Sequence, residues 1–230
     1  MLKNYGAEAM RLWAGIEGDL SKGDVPCSKD KINAELKTLN KILNVSRFLM
    51  QFAKPSKPKT LMPLDQLFVD YIEDLTSRAD KNYELYEFQD VTKELRAFLW
   101  EIFASHYIEL VKNRAYNNDK NFTEIESNSA KYTLYYLFER FLTLIYPIIP
   151  QITSVIGSEL SLNLLDSTWP KSKKGKSNLK LIDSIMKFNS EVWKQKKDKK
   201  LALNNNISGI SIPKELIDFE KELRICHKLE

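Results

Sequence analysis

The stretch SKDKINAELKTLNKILNVSRFLMQF, Ser28 to Phe52, decides the class of structure. Its apolar residues Ile32, Leu36, Leu39 and Leu43 recur at spacings of four, three and four, the period of one face of an α-helix. Ser28 suits the N-cap, because its hydroxyl can accept from an amide that has no partner in the first turn. The helix must end near Ala53, since Lys54-Pro55-Ser56-Lys57-Pro58-Lys59 is a charged loop whose prolines cannot continue it. Outward from this segment the same pattern repeats. Only seven glycines occur in 230 residues, none between Gly23 and Gly157, and no proline lies between Pro63 and Pro147, so long unbroken helices are expected. A second helix is predicted from about Pro63 to Tyr83, with Leu64, Phe68, Ile72, Leu75 and Ala79 inward. A third is predicted from about Phe88 to Arg114. It buries Val91, Leu95, Phe98, Leu99, Ile102 and Leu110 and ends in the polar turn Asn117-Asn118-Asp119-Lys120. A fourth begins near Ser127 and carries Tyr132, Tyr135, Phe138, Phe141, Leu142 and Ile145, before Pro147 and Pro150 kink or split it.

Four long amphipathic helices with short connections predict a mainly all-α protein built as an antiparallel bundle. The character changes after Gly157. A lysine-rich loop from Lys171 to Lys176 and a helix near Leu179 to Lys199 precede Ile207-Ser208-Gly209-Ile210-Ser211-Ile212, which alternates like a strand. A short helix at Pro213 to Lys221 and a second strand at Leu223 to Cys226 complete a small C-terminal α/β appendix that reads as truncated, with Leu229-Glu230 as a cloning remnant. The expected organisation is a connecting segment at 1–27, the bundle at 28–160, and a basic linker, helix and appendix at 161–230.

With 43% hydrophobic and 29% charged residues, the chain is neither disordered nor low in complexity. Cys27 and Cys226, the only cysteines, supply neither a disulfide framework nor a cysteine zinc site, so a reducing, cytoplasmic setting is expected. No basic-then-apolar leader opens the chain. The longest uncharged run, Phe141 to Ser158, is broken by Pro147, Pro150 and Gln151, so no membrane partner is expected. Net charge is +5 over residues 1–60, −8 over 61–170, +8 over 171–200 and −1 over 201–230. Two basic blocks flanking an acidic middle suggest a polyanionic partner.

Several chemistries are absent. Neither GxGxxG nor GxxxxGK[ST] can be written with these glycines, so nucleotide hydrolysis is not expected. His106 and His227 are the only histidines and no E-x-x-H pair occurs, which removes a di-iron bundle; no metal and no catalytic residue is expected. His106, on the apolar side of the third helix, reads as a hydrogen-bonded core histidine. Asp70, Glu73, Asp74, Glu124 and Glu126 read as solvated helix faces, and Trp13, Trp100, Trp169 and Trp193 as packing anchors.

Five landmarks in collinear order resemble class I aminoacyl-tRNA synthetases. YGAEAMRLWAGIEGDLSKGDVPCS, Tyr5 to Ser28, is similar to the entry from the KMSKS loop into the helical anticodon-binding domain, and NKILNVSRF, Asn40 to Phe48, to the next helix. YELYEFQDVTKELRAFLWEIFASHYIELVKNR, Tyr83 to Arg114, and SAKYTLYYLFERFLTLIYPIIPQITSVI, Ser129 to Ile156, resemble two later helices of that domain. Asp166-Ser167-Thr168-Trp169-Pro170 matches the tryptophan–proline after them. Asp24-Val25-Pro26, NKILNVSRF and LALNNNISGISI, Leu201 to Ile212, favour the valine enzymes over those for isoleucine or leucine. The HIGH and KMSKS signatures are missing, so the resemblance implies the tRNA-binding C-terminal part without the catalytic and editing domains. In the parent enzyme it implies ATP and Mg²⁺ as cofactors, valine tRNA isoacceptors as partner, and a monomer. A helical protein–protein scaffold with an acidic interface is the alternative from another class.

The RNA site is expected on the Ser28–Phe52 helix. Lys37, Lys41, Asn44 and Phe48, spaced four, three and four, share a face. Unpaired bases stack on an aromatic ring for about 1–3 kcal/mol each, lysines neutralise the adjoining phosphates, and an asparagine can pair with an adenine edge. Arg47 can reach phosphate or stack flat on a base. In the valine enzymes the residues matching Lys41 and Phe48 contact the anticodon. A further basic residue of some members corresponds to Asp30 here, flanked by Lys29 and Lys31, which become candidates for that contact. Lys196, Lys197, Lys199 and Lys200 are expected to grip RNA backbone with little sequence preference.

Overall fold

The computed structural model describes residues 2–19, 23–172 and 178–230. Of the lysine-rich loop expected at Lys171 to Lys176, residues 173–176 lie outside them. Ser28, in an extended conformation, accepts from the Lys31 amide and starts helix α2, Lys29–Leu49. It is preceded by α1, Leu2–Glu17, which is broken at Gly6, whose φ of 73° and ψ of 165° are open to glycine. Pro63 opens α3, Pro63–Glu84, where its missing amide costs nothing. The third long helix runs as three segments: α4, Phe88–Ala97, a π-helical stretch Phe98–Tyr107, and α5, Ile108–Tyr116, closed by Asn117 in the left-handed conformation.

Thr123 and Glu126 form a reciprocal capping box that starts α6, Glu124–Ile145, three residues before the expected Ser127. The two prolines split the helix rather than kink it, and Pro150 opens α7, Pro150–Glu159. The chain closes with α8, Leu179–Asp198, a 3₁₀ turn at Lys214–Phe219, and α9, Glu220–His227.

Helix α1 packs on α2 and α4, α3 on α6, and α5 on both α6 and α9. One hydrophobic core runs through all of them, from Ala9 and Leu12 to Leu216 and Leu223. The inward residues expected for the second and third helices are all buried. On α2 the buried face is rotated from the expectation. Ile32, Leu39, Ile42, Val45 and Leu49 are buried, whereas Leu36 and Leu43 are only partly covered.

The π-helical stretch has an aromatic cause. Phe98 and Phe103, five residues apart, stack at 5.6 Å with planes 8° apart, and Phe103 stacks on Phe138 of α6 at 6.2 Å. A π turn brings a residue beneath the fifth one after it, a period that a search at 3.6 residues does not reveal.

The C-terminal α/β appendix is corrected. Leu223–Cys226, expected as a strand, lies inside α9, and among the described residues no strand pair forms. An isolated bridge joins Ile207 and Leu229. Gly209, with φ of 81°, interrupts the alternating run. Four residues of mixed polarity fit helix and strand periods equally, and burial of Leu223 and His227, four apart, decides for helix. Leu229, read as a remnant of cloning, donates its amide to Arg224 and packs against the core.

Burial also corrects the solvated-carboxylate reading at Glu73. This carboxylate is 2% exposed, accepts from the Tyr136 hydroxyl and faces the Arg140 guanidinium at 3.3 Å. A second buried carboxylate, Asp65 of α3, lies inside the bundle. It takes bonds from both Arg114 terminal nitrogens (2.9 and 2.6 Å), from Tyr107 (2.7 Å) and from Ser129. Arg114 and Asp65 are both fully buried. Burial alone would lower the guanidinium's pKa, yet the adjoining Asp65 carboxylate raises it above its ordinary value.

Candidate RNA-binding face

Rotation of the α2 core stripe leaves its opposite side to solvent. Lys37 and Asn44 are exposed there, Lys41 and Phe48 are half-buried, and Arg47 is exposed beside them. The structure therefore sets Lys37, Lys41, Asn44, Arg47 and Phe48 along one side of α2, over about 16 Å from its middle to its C-terminal end. Lys29 and Lys31 are not part of this group. At 1.5 Å per residue they lie in the first turn, about 12 and 9 Å before Lys37 and about 27 and 24 Å before Arg47. Lys31 is also ion-paired with Glu17 of α1.

Two of the five are held by neighbours that spacing alone does not reveal. The Lys41 ammonium lies 4.5 Å over the ring of Trp100, a cation–π contact, and Trp100 Nε1 donates to Thr38 Oγ1 at 3.0 Å. One turn of α2 and the π-helical segment thus hold Lys41 in place before any ligand arrives. Phe48 meets Phe52 edge-on at 5.3 Å and Tyr116 at 6.0 Å, so part of its ring is committed to packing and part faces out. The tryptophans divide. Trp13, Trp100 and Trp193 are partly covered, but Trp169 is 36% exposed against Tyr83, so it is not the packing anchor expected.

The α8 lysines divide as well. Lys196 is fully buried, and its ammonium donates to the carbonyls of Leu203 and Asn205 at 2.7 and 2.8 Å. It is a structural tie for the loop after α8, not a group open to RNA. Burial lowers its pKa. Lys197, Lys199 and Lys200 are exposed. Lys197 and Lys200 border an open groove of about 840 Å³ with Trp193, Lys194 and Leu201.

Behind that groove, Asn189 links two imidazoles. Its Nδ2 donates to His106 Nδ1 at 3.1 Å, and its Oδ1 accepts from His227 Nε2 at 2.7 Å. His106 is the hydrogen-bonded core histidine expected. Among the described residues no group of three or more His, Cys, Asp or Glu is placed to hold a metal ion, and no helix is long and apolar enough to cross a membrane.

Among the described residues, α2 presents a helix side with cationic side chains beside an aromatic ring, a surface to which nucleic acid can bind. Residues 65–211 match the family model described as the anticodon-binding domain of tRNA ligase, and the chain belongs to that family. Its curated relatives include the valine–tRNA ligases of Nanoarchaeum equitans, 32% identical over 233 aligned positions, and of Pyrobaculum aerophilum, 30% identical over 234. These alignments cover 100% and 99% of the chain but 29% of each relative, so the chain spans under a third of their length.

Proposed function

We propose that the chain is the anticodon-reading part of a valine–tRNA ligase and binds the anticodon stem–loop of valine tRNA through the outer face of α2. The observation that carries this reading is the alignment of Lys37, Lys41, Asn44, Arg47 and Phe48 along one side of α2, which packs on a bundle whose residues 65–211 match the anticodon-binding domain. Phe48 stacks on an unpaired base. Lys41, already positioned over Trp100, takes the adjoining phosphate. Asn44 offers both donor and acceptor to a base edge, and Arg47 and Lys37 track the backbone. Lys29 and Lys31 meet the RNA further along the stem, and Lys197, Lys199 and Lys200 add contacts that ignore sequence.

ATP, Mg²⁺ and valine belong to the catalytic domain of the whole ligase, a cytoplasmic monomer in this reading. Residues 1–27 join that domain to the bundle. The bundle contributes tRNA affinity and identity, not the chemistry. Phe48→Ala should weaken binding of a valine anticodon stem–loop by about 5- to 100-fold, at a temperature where melting shows the variant, which loses its contacts with Phe52 and Tyr116, to be folded. Unchanged affinity would exclude the stacking role.

A further inference from the structure

The aromatic surface does not end at Phe48. Phe52 and Tyr116 lie 5.0 Å apart, and each also touches Phe48, so one ring from the end of α2, one from the turn after it and one from the end of α5 form a single cluster. Phe52, at 7% exposed, is its floor, whereas Tyr116 is 42% exposed at the rim. The Tyr116 hydroxyl donates to Gln51 Oε1, which fixes the ring's orientation. Lys131 of α6 lies 5.9 Å over the Phe52 ring. Beside Tyr116 a groove of about 760 Å³ opens, lined also by Lys120, Ser127, Asn128, Lys131 and one carboxylate, Glu124.

We propose that Tyr116 is a second base platform beside Phe48, and that Lys120 and Lys131 hold the phosphates of the nucleotide that stacks on it. The inference rests on the reading of α2 as an RNA face and extends it to a part of the surface that α2 alone does not supply. The planes of Phe48 and Tyr116 stand 74° apart at 6.0 Å. Two bases lying on them are turned away from each other, the arrangement of a splayed single strand and not of a stacked duplex. The flanking cations suit a phosphate backbone; Ser127 is buried and bonded to the Ala115 carbonyl, and Asn128, whose Nδ2 donates to the Ser56 carbonyl, keeps its Oδ1 as an acceptor for a base edge or ribose. The site therefore takes at least two successive unpaired nucleotides, one on each ring.

The test uses the full chain and a valine anticodon stem–loop RNA carrying 2-aminopurine at successive loop positions. Affinity and fluorescence quenching are read for wild type, Phe48→Ala, Tyr116→Leu, Tyr116→Phe and the double variant Lys120→Gln/Lys131→Gln. Leucine keeps apolar contact with Phe52 but removes the π-face. Tyr116→Leu is expected to weaken binding by about 5- to 100-fold and to abolish quenching at one loop position, while the position quenched by Phe48 is unaffected. Tyr116→Phe should bind as wild type. The double lysine variant should reduce the slope of log affinity against log salt by about 1.4, two single-strand phosphate contacts. If Phe48→Ala weakens binding but Tyr116→Leu does not, the second platform is excluded and the α2 reading stands. If neither weakens it, both fall together. Loss of quenching at every position in Tyr116→Leu, with a lowered melting temperature of the free protein, would mean that Tyr116 only packs, and would also overturn the proposal.

Discussion

Acid should loosen the C-terminal helix from the bundle through His227. This imidazole is fully buried on α9, edge-on to Phe188 at 5.8 Å and beside Trp193 at 5.6 Å. Its Nε2 is bonded to Asn189, and its Nδ1 has no hydrogen-bond partner. Burial, reinforced by the nearby Lys196 ammonium and by His106, lowers its pKa from the ordinary 6.5 to about 4. A group whose folded-state pKa is depressed contributes stability that is complete above its unfolded value and is lost as pH falls towards the folded one. The window is therefore pH 6.5 to 4. Integrating over it gives about 2 kcal/mol lost by pH 5 and about 3 kcal/mol by pH 4. At this chain length 2 kcal/mol corresponds to about 4–8 °C in melting temperature. His227→Gln keeps an amide donor for Asn189 but cannot charge in this range. The assay is thermal melting of wild type and His227→Gln at steps from pH 7.5 to 5. Wild type should lose about 4–8 °C more than the variant across the window, whatever the variant's stability at neutral pH. Parallel curves would refute the argument.

Three further outcomes are expected from the packing and the surface. Arg114→Met leaves Asp65 buried without its cation, held only by the Tyr107 and Ser129 hydroxyls; it should cost about 3–5 kcal/mol in urea unfolding. Thr123→Ala removes one half of the α6 capping box and should cost about 1 kcal/mol by the same assay. Lys197→Gln/Lys199→Gln/Lys200→Gln should reduce the salt slope of tRNA binding by at most about 3 for duplex contacts. Lys196→Met, by contrast, should lower the melting temperature and leave that slope intact, because its ammonium serves two backbone carbonyls.

Periodicity carried the reading of the bundle furthest. The helices α2, α3 and α6 were legible because proline, serine and the glycine-free interval mark their ends, and because Leu64 through Ala79 repeats the helical period without interruption. What escaped depends on partners distant in sequence. The π-helical segment packs against rings of α6, Phe141 tilted against Phe98 and Phe138 stacked on Phe103, and burial of Glu73 depends on Tyr136 and Arg140, more than sixty residues away. Asp65 and Arg114 looked like ordinary helix charges, since nothing local distinguishes a buried pair from an exposed one. In the last 30 residues the segments are too short for a period to declare itself.

For the candidate site, the shared face of Lys37, Lys41, Asn44 and Phe48 could be counted off along one helix. The contacts that hold it in place could not. Trp100 under Lys41 and Tyr116 beside Phe48 come from a helix 50 or more residues later. Lys196 misled for the same reason. Within a run of lysines, only the loop folding back over α8 separates the buried ammonium from its exposed neighbours.

The most direct test of the central claim is a titration of this chain with a valine anticodon stem–loop and with the same RNA carrying a swapped anticodon, each at two salt concentrations. The account predicts saturable binding that favours the valine anticodon at both salts, with the preference lost in Phe48→Ala. Equal affinity for the two RNAs, falling together as salt rises, would contradict it and reduce the α2 face to a nonspecific basic surface.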